Sequence, residues 1–114
     1  MNFAAKIGES YFDNPYHDHK HACDVAQFTY FLLTSVDAIK LLQITPEDQI
    51  TMIVASFIHD LEHPGFTNAF LTSVRSQLAI RYNDKSPLEN HHIAQAFQIL
   101  TNDTFNIFKN YSLK

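Results

Sequence analysis

At 114 residues the chain has room for one domain at most, with a core of modest size. Its 46% hydrophobic content and two glycines exclude a disordered chain, and its net charge of -4 argues against nucleic acid as a partner. A single cysteine, Cys23, excludes an internal disulfide framework; with no apolar signal region between Met1 and Tyr11 and no run long enough for a membrane span, a reducing, cytoplasmic location is expected.

The hydrophobic spacing is helical throughout, with no repeat, linker or strand-like alternation, so the expected fold is all-α. A first helix is predicted from Asn14, with Asn14 as N-cap and Pro15 at its first position. Val25, Phe28, Leu32, Val36 and Ile39 then form one apolar stripe, which extends back through His21 and His17 and predicts a core-facing side. Thr45-Pro46-Glu47-Asp48 predicts a second helix start, and Pro64-Gly65 a stop near Glu62. No charge lies between Ile50 and Ile58, so this helix is expected to be buried all round. A helical stretch over 68–82, a turn at Asn83-Asp84-Lys85, a capping box at Ser86-Pro87-Leu88-Glu89 opening a helix to Leu100, and a last helical segment over 104–111 complete the prediction.

The seven histidines fall in three tight groups. His17 and His21 are four apart and share a helix face. They can hold a transition metal together, or one can ligate while the other handles a proton; a polar helix start with coincidental spacing is the bland alternative. His59 and Asp60 pair a neutral nitrogen ligand with an anionic oxygen ligand. Asp60 sits at the C-terminal end of a helix expected to be buried, where the macrodipole and desolvation both oppose an anion and a dication would offset both. The alternative there is an aspartate bonded to backbone beside a packed histidine. In Glu89-Asn90-His91-His92 the residues alone favour a capping glutamate and surface histidines.

Taken together the groups resemble the class I cyclic nucleotide phosphodiesterases. The family pattern Y-H-N-x-x-H-A-x-D-V is matched from Tyr16 to Val25, with Asp18 in place of the Asn. H-D-x-x-H-P-G-x-x-N is matched by His59, Asp60, His63, Pro64, Gly65 and Asn68, and Y-N-D-x-S-x-L-E-N-H-H by the run Tyr82 to His92. The stretch from Arg75 to His92 is most similar to the calmodulin-dependent branch. The resemblance implies a helical fold of the HD type, here an incomplete core, with 1–13 as a lead segment and 14–114 as part of a catalytic domain. It implies two divalent ions, zinc and magnesium (or manganese). His21 and His59 would ligate the zinc, Asp60 would bridge to the second ion, and His63, Asn68 and Glu89 would hold water or support the site. His17 would be the general acid, with Glu89 nearby to favour its protonated form.

The implied reaction is hydrolysis of cAMP or cGMP to the 5'-monophosphate, by a metal-activated hydroxide and a protonated leaving oxygen. Asp18 adds a negative charge beside the proton donor. The family's further metal-ligating Asp and its purine clamp have no counterpart after His92, since Asp103 follows too soon. A partner is therefore expected, either the remainder of the catalytic domain or another chain. A non-catalytic helical interaction module derived from the same fold is the alternative function.

Overall fold

The computed structural model describes residues 2–35 and 37–111. Among them the backbone forms seven helices and no strand: α1 Phe3–Glu9, α2 His19–Ser35, α3 Ala38–Leu41, α4 Pro46–Ile58, α5 Asn68–Ser73, α6 Gln77–Arg81 and α7 Pro87–Leu100.

Helix α1 was not foreseen. Asn2 caps it by accepting the Ala5 N–H, and Phe3, Ile7 and Tyr11 lie on one side at steps of four. They meet Ala22, Leu61, Ala96 and Leu100 in the core. Residues 2–13 thus supply much of the packing beneath the histidine groups.

Helix α2 opens at His19, not at Asn14. Asn14 is followed by bends over 15–18 rather than by a helical turn, and its amide donates to the carbonyls of His17 and His63. Asp18 takes over, its Oδ1 accepting the N–H groups of Lys20 and His21. The face that α2 buries is Ala22, Ala26 and Leu33, not the bulkier stripe. Phe28 is 61% exposed and Leu32 40%. Small residues win because α2 crosses α4 closely, with the Thr29 and Ser56 hydroxyls bonded at 2.9 Å. The expected continuation to Ile39 also fails: α2 ends at Ser35, and Asp37, in the left-handed region at φ 51°, starts α3. Val36 lies outside the described residues.

Helix α4 begins as predicted, with Thr45 and Asp48 in a reciprocal capping box and Pro46 in the first turn. It stops at Ile58 with His59 as C-cap, four residues before Glu62. Tight turns close Leu61 onto Ile58 and His63 onto Asp60, and Glu62 takes φ 56°. The helix is also not buried all round: Ile50 is 45% and Met52 41% exposed.

The 68–82 stretch is two helices. Arg75 turns left-handed, and Ser76 starts α6 by accepting the Ala79 N–H. Ser86 is itself left-handed and makes no side-chain cap bond, so the expected capping box with Glu89 does not form. The predicted helix over 104–111 is a series of turns. Asn102 and Asn106 bend it by accepting the N–H groups of Thr104 and Phe108.

The radius of gyration is 15.7 Å, above the about 13 Å of a compact domain this long. No helix among the described residues is long and apolar enough to cross a membrane.

Candidate metal centre

The end of α4 aims three polar atoms at one point. His59 donates from Nδ1 to the Ser56 carbonyl at 2.9 Å, which leaves its Nε2 lone pair pointing outward. That Nε2 lies 3.3 Å from His21 Nε2 and 3.1 Å from Asp60 Oδ2. His21 Nε2 is 3.4 Å from the same carboxylate oxygen. The three atoms form a nearly equilateral triangle. Metal–ligand bonds of about 2.0–2.1 Å in a tetrahedral site place neighbouring ligand atoms about 3.3 Å apart. The triangle has the dimensions of one face of such a site, so the donor set fits a zinc-like ion.

The charges agree with the geometry. Burial disfavours ionised Asp60, but when the His59 ring carries a proton on both nitrogens its Nε2–H donates to the carboxylate, and this bond together with the charge of the surrounding imidazoles holds the carboxyl below its usual range. The same bond to Asp60 raises His59 above the usual histidine range. An anion at a helix C-terminus, with two imidazole nitrogens within 3.4 Å of it, is a place that a cation stabilises.

Asp60 also belongs to a second, wider group with His63 and His92, whose ligand-type atoms all lie within 4.8 Å of one another. His92 donates from Nδ1 to the Leu61 carbonyl at 2.6 Å, leaving Nε2 3.9 Å from Asp60 Oδ1. His63 accepts the Gly65 N–H at Nδ1, so its ring hydrogen sits on Nε2. Burial lowers both His63 and His92, which favours their neutral forms. The spacing suits water between the groups better than direct contact with one ion. His17 joins from the other side, its ring stacked on that of His63 at 3.9 Å.

Asn68 and Glu89 form the rim. Asn68 Nδ2 donates to both Glu89 oxygens, at 2.9 and 3.2 Å, and this bond is the main cause of the lowered Glu89 carboxyl. Asn68 Oδ1 accepts the Leu88 N–H at the start of α7. The long-range amide has replaced the local partner that the sequence suggested for Glu89.

Asp18 serves as the opening cap of α2, and an asparagine would present the same oxygen there. Its carboxyl is lowered chiefly by the hydrogen bond from the His21 N–H.

The structure therefore brings His21, His59 and Asp60 together, places His17 on His63, and pairs Asn68 with Glu89. Three residues escaped sequence reasoning. His91 and His92 are buried, not on the helix surface. His91 bonds Glu62 at 2.9 Å, so successive histidines of α7 grip successive residues of the turn after α4. The third is Asn14. Two adjacent histidines inside an apolar helix were the available signal for the first two; Asn14 offered none beyond its place before a proline.

A family model described as 3'5'-cyclic nucleotide phosphodiesterase matches residues 16–114. The chain is 44% identical over 115 residues to the 3',5'-cyclic-AMP phosphodiesterase, isoform F, of Drosophila melanogaster, covering 100% of this chain and 17% of that protein. It is 41% identical over 104 residues to the human high affinity cGMP-specific 3',5'-cyclic phosphodiesterase 9A, covering 91% of this chain and 17% of the relative. The solved phosphodiesterase domain of the RhoPDE fusion protein from the choanoflagellate Salpingoeca rosetta superposes with a TM-score of 0.85 at 42% identity, over 95% of this chain and 33% of that one. The chain thus spans less than a fifth of these curated relatives and about a third of the solved domain. With a match over most of its length and a helical structure to accompany it, the chain belongs to the 3'5'-cyclic nucleotide phosphodiesterase family.

Proposed function

We propose that this chain supplies the metal-holding and proton-donating part of a catalytic domain that hydrolyses 3',5'-cyclic nucleotides to 5'-monophosphates. The observation that carries the reading is the triangle of His21 Nε2, His59 Nε2 and Asp60 Oδ2, with sides of 3.1 to 3.4 Å. In this reading His21, His59 and Asp60 would hold zinc, and Asp60, which also neighbours His63 and His92, would help to hold a second divalent ion, magnesium or manganese. Bound divalent ions supply an acidified water and neutralise phosphoryl charge.

The chain's own residues do the rest. His63, Asn68 and Glu89 orient water at the rim of the site. His17 gives its proton to the 3' oxygen as the ring opens, because an alkoxide is a poor leaving group. Burial favours the neutral form of the His63 ring beneath it, which adds no competing charge. Residues 14–114 are the catalytic part and 1–13 lead into it. The apolar faces left exposed on α2 and α7 would be covered by the remainder of the domain or by another chain, in a cytoplasmic protein.

The test replaces the matching segment of the Drosophila cAMP phosphodiesterase with this chain. The graft is expected to bind zinc and hydrolyse cAMP, and Asp60→Ala within it to do neither. A folded graft without zinc or turnover overturns the reading and moves weight to a non-catalytic helical module.

A further inference from the structure

We infer that Asn14 is a positioning residue, a clamp that sets the proton donor on its partner ring; the inference rests on the reading of His17 given above. The side-chain amide of Asn14 donates to two backbone carbonyls at once, His63 at 2.6 Å and His17 at 3.2 Å. These two residues are 46 apart in the chain, yet their rings stack at 3.9 Å with planes 11° from parallel. One amide therefore ties together the backbones that carry the stacked pair. Both partners are carbonyls, so the amide nitrogen must face them, and its orientation follows from chemistry.

The opposite edge of the amide is fitted as closely. A Cβ on Gly65 would stand 3.1 Å from Asn14 Oδ1, and Gly65 adopts φ +81°. A side chain at 65 would be strained and would press the amide off its two carbonyls. The glycine of the turn and the asparagine ahead of the first histidine group thus act as one unit.

The clamp is distinct from the metal triangle. His21, His59 and Asp60 are placed by α2 and by the end of α4, and none of them bonds Asn14. Loss of the clamp should release His17 and leave metal binding in place. A loose proton donor matters only where the leaving group needs a proton. A cyclic nucleotide does; bis(4-nitrophenyl) phosphate, with an acidic phenol as leaving group, does not.

Two measurements test this. In the 114-residue chain, NMR of the histidine rings in Asn14→Ala should show loss of the mutual ring-current shifts of His17 and His63, with zinc affinity unchanged; unchanged ring shifts in a folded variant overturn the clamp. In the wild-type chain, the Asn14 side-chain amide protons should exchange slowly and show contacts to Gly65; rapid exchange overturns it without any variant. In the graft, Asn14→Ala should lose about a hundredfold in kcat on cAMP and keep its rate on bis(4-nitrophenyl) phosphate, with Asn14→Gln recovering part of the loss. Equal loss on both substrates means a merely structural role and rejects the positioning claim. Absence of zinc binding by wild type would sink the proposed function instead, while both NMR measurements would still decide the clamp.

Discussion

His17 lies flat on His63, with ring centroids 3.9 Å apart, while His21, four residues on, turns its Nε2 to Asp60 at 3.4 Å. The two histidines of the first group therefore have different neighbours and, in our reading, different tasks. His17→Ala in the graft should keep zinc and lose at least about a hundredfold in cAMP hydrolysis. Its rate on bis(4-nitrophenyl) phosphate should change little. Zinc lost with the side chain would make His17 a ligand.

The metal triangle makes the opposite forecast for its own members. Each of His21, His59 and Asp60 contributes one corner, and removing a corner leaves two donors. Even residues that only support a ligand are worth about 10–100-fold in affinity. His59→Ala and Asp60→Ala should each weaken zinc binding by more than about a hundredfold, as read by competition with a chromophoric chelator. Equal zinc content in wild type and both variants would remove the basis of the site.

Local signals held where no distant group competed for the same side chains, and failed where one did. Thr45, Pro46 and Asp48 act within one turn, so their capping box was legible from four letters. The grouping of His21 with His59 and Asp60 came from the resemblance to the family motifs; spacing alone paired His21 with His17, and nothing local told how near His21 comes to His59. Glu89 was assigned to Ser86, three residues away; it went to Asn68, 21 residues away, because that amide can give a charged acceptor two contacts. The face of α2 was misjudged for a similar reason. Bulk suggested Phe28 and Leu32, but close approach to α4 selects Ala22 and Ala26. Helix phase is set by the partner, and the partner is not written in the helix.

Tyr11 links α1 to the base of the site. Its hydroxyl donates to the Phe57 carbonyl at 2.9 Å, one of the carbonyls that the end of α4 leaves without a helical partner. Tyr11→Phe keeps the ring and should cost about 1–3 kcal/mol in denaturant unfolding by leaving that acceptor unpaired. Burial pushes the phenol well above its ordinary range, with a smaller opposing effect from the Asp60 backbone. A raised folded-state pKa means stability that is complete below the unfolded value and is lost as pH climbs beyond about 10. Wild type should therefore weaken in that alkaline window, and Tyr11→Phe should lack that part of the loss. Parallel alkaline curves for the two proteins would contradict the buried hydroxyl.

The outer side of α2 carries Phe28, 61% exposed, and Phe31, 50% exposed, with their rings stacked at 6.4 Å. Leu32 continues the apolar surface beside them. Stacked aromatics in water gain from any apolar cover, and contiguous patches of this kind drive association. The 114-residue chain alone should therefore sediment as a concentration-dependent mixture. Replacing both phenylalanines with glutamate would put like charges on the face that copies would share, and desolvating a charge is costly. Phe28→Glu with Phe31→Glu should shift the chain towards monomer. Neither side chain belongs to the buried core, so helix content and zinc affinity should be preserved. A chain that is monomeric at all concentrations, or a double variant that associates as wild type does, would show that this face is not what copies share.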